Sequence, residues 1–494
     1  MTIIPTPIAN DLEKAEHPET LRRIAIEPVS RVEGHGKVTI LLDDHHKVHQ
    51  VRLHIVEFRG FERFIQGRPY WEVPVMVQRL CGICPVSHHL AASKALDHVV
   101  GAERIPRAAE LTRRLMHYGQ ILQSHALHFY HLASPDLLFG FGSDPLARNV
   151  VGVIAKYPEV GRQGILLRKF GQEVIRHTAG KRVHGTGSIP GGVNKRLTAD
   201  ERDELSRALP DVLTWARGAV KLIADLHNQR RDVYDAFGTV RSSSLSLVAA
   251  DGSLDLYDGV LRARDANGQI LFDGVAARDY HTLLRENVRS WSYMKFPFIQ
   301  SLGPEHGWYK VGPLARLQNC DRIPTPLAEE ARREWLGSQP GPVHAPLAYH
   351  WARMIEMLHA AEVIRDLLAE PALMDDTLTA SGPRQREGVG IIEAPRGTLI
   401  HHYEVGDDDL VTMCNLIVST THNNQAMNEA IRQVARQYLD GREPNEGLLN
   451  HIEVAIRAFD PCLSCATHAL GKMPLAVDVV DAAGATVARL VRGG

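Results

Sequence analysis

The chain has 494 residues, 44% hydrophobic and 23% charged, with a formal net charge of −2. That length can bury a large core and on size alone suggests two to four domains. The charge exerts no global pull toward nucleic acid or an anionic membrane, and no apolar run is long enough to span a bilayer.

Taken in chain order, residues 1–23, "MTIIPTPIANDLEKAEHPETLRR", place acids and prolines where a signal peptide needs an apolar core. They are expected to form a flexible extension on a cytoplasmic protein. Lys37–Phe58 holds two β-rich runs around Asp43-Asp44-His45-His46, a predicted hairpin. From Pro85 to about residue 235 the pattern is mostly helical, with Pro85 suited to a first helical turn. "TADE" (Thr198–Glu201) fits a capping box, and Val212, Trp215, Ala216, Ala219, Ile223 and Leu226 form an apolar face at helical spacing. Residues 250–280 predict a second hairpin, with Asn267-Gly268 suited to a type I′ turn. Helix resumes over Pro346–Leu368, between loops rich in Gly and Pro near 337–346 and 380–390. The final segment, "LAVDVVDAAGATVARLVRGG", is strand-like.

Four of the six cysteines form two CxxC pairs, in "RLCGICPVSHH" (Arg79–His89) and "DPCLSCATH" (Asp460–His468). In a reducing compartment this indicates metal or redox chemistry rather than a disulfide frame. Three readings compete. A structural zinc site must close a loop of 462 − 84 = 378 residues. The closure costs roughly 5 kcal/mol, which a metal could offset but a local staple would avoid. A pair of thioredoxin-like sites would gain reactivity from the helix after Cys84, but no βαβ pattern precedes it. A thiolate-held transition-metal centre suits soft sulfur ligands, with His88 and His468 as supporting groups or ligands. Spacing alone leaves all three open.

The surroundings decide. "RVEGHGK" (Arg31–Lys37), "FRGFE" (Phe58–Glu62), "RLCGICPVSH", "EAPRGTLIHH" (Glu393–His402) and "DPCLSCATH" follow one another in a single chain. Together they resemble the large, catalytic subunit of [NiFe]-hydrogenases over about residues 24–494. The run from Val56 to Cys84 is most similar to the cytoplasmic, NAD-linked, bidirectional group. The resemblance implies a mainly α fold with small peripheral β-sheets, built as one interwoven domain. It implies reversible, heterolytic splitting of H2, with electrons leaving toward NAD+. Residues 24–468 would be the catalytic part. Residues 469–494 would be a propeptide, cut by a maturation protease at His468–Ala469; the alternative reading of that tail is a structural strand pair.

The resemblance also assigns roles. Cys81, Cys84, Cys462 and Cys465 would hold nickel, with Cys84 and Cys465 bridging to an iron that carries CO and two cyanides. Cys462 would be the base that receives a proton from H2 and passes it to Glu33. Arg396 would lie over the iron ligands, and Ser419 or Thr420 would hydrogen-bond a cyanide. Glu62, the Leu416 carbonyl and His468 would hold Mg2+, or Fe2+ in its place. His88 and His128 would be polar supports in the core. The chain departs from many members at Ser419 and His422, which replace proline and tryptophan in "VSTTHN", and at Ser124, which replaces an aspartate.

Only Cys320 and Cys414 remain, too few for an iron–sulfur cluster in this chain. "HGTGSIPGG" (His184–Gly192) and "EGVGII" (Glu387–Ile392) both fail the dinucleotide fingerprint. Partners are therefore expected: a small subunit with a [4Fe–4S] cluster, and diaphorase subunits with FMN and further clusters. The competing readings are a related hydrogenase serving a deazaflavin or heterodisulfide system and, from another class, a quinone-site subunit of the complex I type, which lacks the full cysteine set.

Overall fold

The computed structural model describes residues 21–468, 475–480 and 486–492. Residues 1–20 of the expected N-terminal extension lie outside these, as does Ala469 of the expected cleavage site. The first strand, β1 (Arg22–Ile26), begins two residues inside that extension. It pairs antiparallel with β2 (Gly36–Leu42), which pairs with β3 (Val48–Ile55). The β2–β3 pair is the first predicted hairpin. The Asp43 carboxylate closes its turn by accepting from the amides of His45 (2.9 Å) and Lys47 (2.7 Å). Val38, Ile40 and Leu42 alternate along β2 and are fully buried.

The helical body is built from α1 (Pro85–Val99), α2 (Arg107–Leu127), α3 (Pro158–Ala179) and α4 (Ala199–Gln229). Helix α1 starts with Pro85 in its first turn, where a missing amide hydrogen costs nothing. At α4, Thr198 and Glu201 form the capping box in both directions.

An edge sheet follows, of β4 (Ser243–Val248), β5 (Val260–Arg264), β6 (Ile270–Val275) and the short β7 (Tyr309–Lys310), in the order β7-β4-β5-β6. The β5–β6 pair is the second predicted hairpin, but its turn is not type I′. The Gly268 amide donates to the Asp265 carbonyl (3.0 Å) and the Asp265 amide to the Gln269 carbonyl (2.8 Å). Of Asn267 and Gly268 only Gly268 has positive φ (84°). That is a three-residue loop ending in a glycine bulge, and the Asp265 side chain favours it by accepting from the amides of Asn267 and Gln269.

Next come α5 (Pro313–Asn319) and α6 (Ala348–Ala369). Helix α6 is buried around nearly its whole circumference and packs on α2 and α4. Its buried Glu356 is held by the Arg316 guanidinium through two bonds of 2.6 Å, and by His125 at 3.0 Å.

The strands β8 (Glu387–Ala394), β9 (Gly397–Val405) and β10 (Val411–Ile417) form an antiparallel sheet that packs on α1. Both faces of β8 and β9 are buried, so this sheet is an interior element. Its tight β8–β9 connection carries Pro395 and Arg396. Helices α7 (Asn424–Tyr438) and α8 (Glu446–Ala458) pack together and lead into the second CxxC segment. Beyond His468, β11 (Leu475–Val480) and β12 (Thr486–Arg492) pair antiparallel. One apolar core contains both Val29 and Ala466, so the chain ends are interwoven. No helix among the described residues is long and apolar enough to cross a membrane.

Candidate metal centre

The two CxxC segments meet in the interior. The Sγ atoms of Cys81, Cys84, Cys462 and Cys465 all lie within 4.8 Å of one another. Individual separations are 2.9 Å for Cys81–Cys84, 3.2 Å for Cys81–Cys462, 2.9 Å for Cys462–Cys465 and 3.9 Å for Cys84–Cys465. None of the four is more than 6% exposed.

Local backbone explains each arm. Cys84 is the N-cap of α1, and the amides of Ile83 (3.2 Å) and Cys84 (3.0 Å) point at the Cys81 sulfur. In the other arm, Asp460 takes a left-handed conformation (φ 54°), and Pro461 prevents α8 from continuing. The Cys462 amide then donates to Thr420 Oγ1 (2.9 Å). Residue Glu33 joins this arm by a parallel bridge to Cys462, with the Leu463 amide on its carbonyl (2.9 Å). Gly34 makes the approach possible: its φ is 82°, and a Cβ there would lie 2.6 Å from the Ser464 nitrogen.

Four thiolates this close repel one another without a cation. Burial would raise the Cys81 thiol, yet hydrogen bonds from Cys462, Cys465 and Cys84 hold it well below the usual range. Burial pushes Cys462 and Cys465 well above it. The donor set, all sulfur and dry, suits a soft divalent metal and gives a hard cation nothing to bind.

A cavity opens beside three of these sulfurs, bordered by Cys84, Cys462, Cys465, His88, Arg396, Ser419 and Thr420. Arg396 donates to the Asp460 carbonyl (2.6 Å), to the Asp460 carboxylate (3.1 Å) and, at 3.5 Å, to Ser124 Oγ. Burial opposes its charge, but Asp460 and the thiolates of Cys462, Cys84 and Cys81 keep it protonated. Ser419 Oγ donates to the Gly397 carbonyl (2.8 Å), which commits its hydrogen, whereas Thr420 Oγ1 only accepts. The His422 ring meets Tyr309 Oη at 2.7 Å, and burial lowers it to about 3. His88 Nδ1 meets His401 Nε2 (3.1 Å), and His401 Nδ1 meets Tyr403 Oη (2.6 Å). His128 bonds the Arg457 carbonyl at 2.7 Å.

On the carboxylate side, Cys462 Sγ donates to Glu33 Oε2 (2.9 Å), and the Ser464 amide reaches the same oxygen (3.1 Å). Ser464 Oγ donates to Glu57 Oε2 at 3.5 Å. The other Glu57 oxygen pairs with His35, whose side chain is 67% exposed.

The predicted Mg2+ ligands lie around Lys295. Its ammonium donates to Glu62 at 2.9 and 3.2 Å and to Glu286 at 3.3 Å. Leu416 meets Glu62 through its amide (2.9 Å). Asn415 donates to Glu62 (3.1 Å) and Glu286 (3.2 Å) and accepts from Tyr280 Oη. Burial, partly offset by Lys295, pushes Glu286 up to about 6. His468 is buried, with both ring nitrogens lacking a hydrogen-bond partner, and burial together with the Lys295 charge lowers it to about 3. A buried neutral imidazole with two free nitrogens, close enough to Lys295 to feel its charge, fits a cation ligand.

Lys295, Glu286, Asp460, His401 and Tyr403 escaped the sequence reading. Asp460 opened one quoted motif, and His401 stood next to last in another; Lys295 and Glu286 carry no motif signal.

Fold and thiol cluster define a nickel-dependent hydrogenase large subunit, and the chain belongs to that family: the description "Nickel-dependent hydrogenase" matches residues 59–138 and 256–468, and "HoxL-like" matches 23–58. Among particular relatives, it is 47% identical over 482 residues to the NAD-reducing hydrogenase HoxS subunit beta of Cupriavidus necator, covering 94% of this chain and 98% of that one. It is 40% identical to a subunit of the F420-non-reducing hydrogenase vhc of Methanococcus voltae, covering 92% of this chain and 96% of that one. The crystal structure of an NAD+-reducing [NiFe]-hydrogenase in the H2-reduced state superposes with a TM-score of 0.89 at 61% identity, covering 90% of this chain and 99% of that one. The Ni-Fe-Se hydrogenase of D. vulgaris Hildenborough superposes at 0.74 with 25% identity, covering 91% and 100%.

Proposed function

We propose that this chain is the catalytic subunit of a cytoplasmic hydrogenase that reversibly splits H2 and passes the electrons through partner subunits to NAD+. The convergence of four buried sulfurs from two segments 378 residues apart carries the reading. In it, Cys81, Cys84, Cys462 and Cys465 would hold nickel, and Cys84 and Cys465 would also hold an iron with CO and two cyanides. The cavity bordered by Cys84, Cys462 and Cys465, with Arg396 and Thr420 on its wall, supports an iron on that side of the cluster. When bound, the nickel–iron pair supplies electron-rich metals at which H2 is polarised and its electrons withdrawn.

The chain's own residues handle the proton. Cys462 Sγ receives it, and Glu33 Oε2, 2.9 Å away, accepts it from the sulfur. Outward of Glu33, which takes the Ser464 amide on the same oxygen, polar groups continue: Ser464 Oγ donates to Glu57, and Glu57 pairs with the exposed His35. Arg396, paired with Asp460, keeps a fixed positive charge over the cavity. Tyr403 Oη has one hydrogen-bond partner, His401 Nδ1, so it donates there. His401 Nε2–H then donates to His88 Nδ1, which leaves the one N–H of His88, on Nε2, for the cavity. Glu62, Leu416 and His468 are proposed to hold Mg2+ or Fe2+, which would displace the Lys295 ammonium from Glu62.

Electrons require partners: a small subunit with a [4Fe–4S] cluster, and diaphorase subunits with FMN and clusters. The 47% and 61% identities to NAD-linked relatives, against 40% and 45% for two F420-non-reducing subunits, favour NAD+ over another acceptor. A complex I-like quinone-site subunit would have no use for four converging cysteines. Residues 24–468 are proposed as the mature catalytic part, with 469–494 removed by a maturation protease. The test is metal analysis and infrared spectroscopy of the purified complex with a H2-dependent NAD+ reduction assay. Nickel, CO and CN bands and NADH formation are expected; nickel-free active enzyme, or H2 oxidation that never reduces NAD+, would overturn the respective part.

A further inference from the structure

A second cavity, of about 200 Å³, lies between β4, β7 and α5 and shares no lining residue with the thiol cavity. Lys310 borders it and is only 4% exposed. Its ammonium donates to the carbonyls of Val240 (2.6 Å) and His344 (3.0 Å), which uses two of its three hydrogens. No carboxylate among the described residues pairs with it, and burial alone pulls it down to about 7. Two more donors on the same wall lack acceptors: Ser242 Oγ, in a residue 8% exposed, and Arg264 Nε. One carboxylate borders the cavity, Asp265, whose Oδ1 serves its own turn by accepting from Asn267 and Gln269.

Lys310 thus brings to this wall an ammonium with no carboxylate on it and one hydrogen to give, and two further lining residues, Ser242 and Arg264, hold buried donor atoms without acceptors. Leaving such groups dry and unpaired is costly, and a water answers one donor at a time without supplying charge. A cation is repelled, and a neutral molecule leaves the ammonium uncompensated. A carboxylate offers two oxygens to three donors; a phosphate offers enough oxygens for all of them, in a space with room for a substituent on one. We propose that this cavity is a binding site for a phosphate group, either free or as a monoester, held by Lys310, Arg264 and Ser242.

Calorimetry on the assembled complex, in buffer free of phosphate and sulfate, tests the proposal with two probes, inorganic phosphate and adenosine monophosphate. Saturable binding is expected for at least one probe, and Lys310→Met and Ser242→Ala should each weaken that component by about tenfold or more. Nickel content should stay unchanged in both. Saturation by phosphate alone identifies the free ion; saturation by the monophosphate alone identifies an ester. Ser242→Ala, which removes one hydroxyl, keeps the test open if Lys310→Met fails to assemble. No saturable component with either probe, or one that neither substitution weakens, overturns the proposal.

Discussion

Replacing Glu33 by Gln isolates the proton step from everything else at the centre. The side chain keeps its size, and the amide oxygen can still accept from Cys462 Sγ (2.9 Å) and the Ser464 amide (3.1 Å). The Glu33 carbonyl bond to the Leu463 amide is untouched. The cost in stability is therefore about 1 kcal/mol, and nickel should stay bound. What is lost is a group that can carry a proton away, worth about 10²–10⁴-fold in rate. H2-dependent dye reduction should fall by that factor. Exchange of H2 with D2O should fall with it, because a proton must leave. Ortho–para conversion of H2, which needs only cleavage and re-formation of the bond, should persist. Glu33→Asp withdraws the carboxylate by about 1.5 Å, one C–C bond, and should give an intermediate rate. Full turnover in Glu33→Gln would refute the route, and loss of ortho–para conversion with nickel retained would show that Glu33 acts in bond cleavage itself.

Glu356 is held down to about 2 because Arg316 overrides the effect of burial. A depressed carboxylate stabilises the fold above its ordinary pKa and loses that contribution as pH falls, here from about 5 to 2, in total about 3 kcal/mol. Thermal unfolding across that window should show Glu356→Gln less stable at pH 6 and flatter with pH; parallel curves would contradict the assignment. Gly34→Ala, with φ 82° and a Cβ 2.6 Å from the Ser464 nitrogen, should cost about 1–3 kcal/mol and lower H2 turnover by shifting Glu33 from Cys462. Wild-type melting and turnover would count against that packing. The intact mass of the large subunit from active enzyme should end at His468, and a mass that retains residues 469–494 would refute the propeptide.

The four cysteines and Glu33 were legible because each sits in a short local motif whose residues act together. The β2–β3 hairpin and the α4 capping box were legible for the same reason: their determinants are neighbours in sequence. Lys295 and Glu286 were not, although Glu62 stood in a quoted motif: 295 − 62 = 233 residues separate the ammonium from that carboxylate, and no spacing rule links them. The interior position of β8 and β9 was hidden too. A strand buried on both faces loses the polar–apolar alternation that marks a half-buried one. At Asn267-Gly268 the dipeptide announced a turn, but the Asp265 carboxylate, two residues upstream, chose its type.

The distance between the two cysteine pairs also sets a schedule. A ribosome adding roughly 5–20 residues per second takes about 20–75 s to travel from Cys84 to Cys462. Throughout that interval the nascent chain offers a bare dithiol, Cys81 and Cys84, with half a coordination sphere. Once the second arm docks through the Glu33–Cys462 bridge, all four sulfurs are at most 6% exposed. A metal must therefore enter before that arm docks or when it opens again. A cell making this protein must keep that dithiol reduced and occupied while it waits.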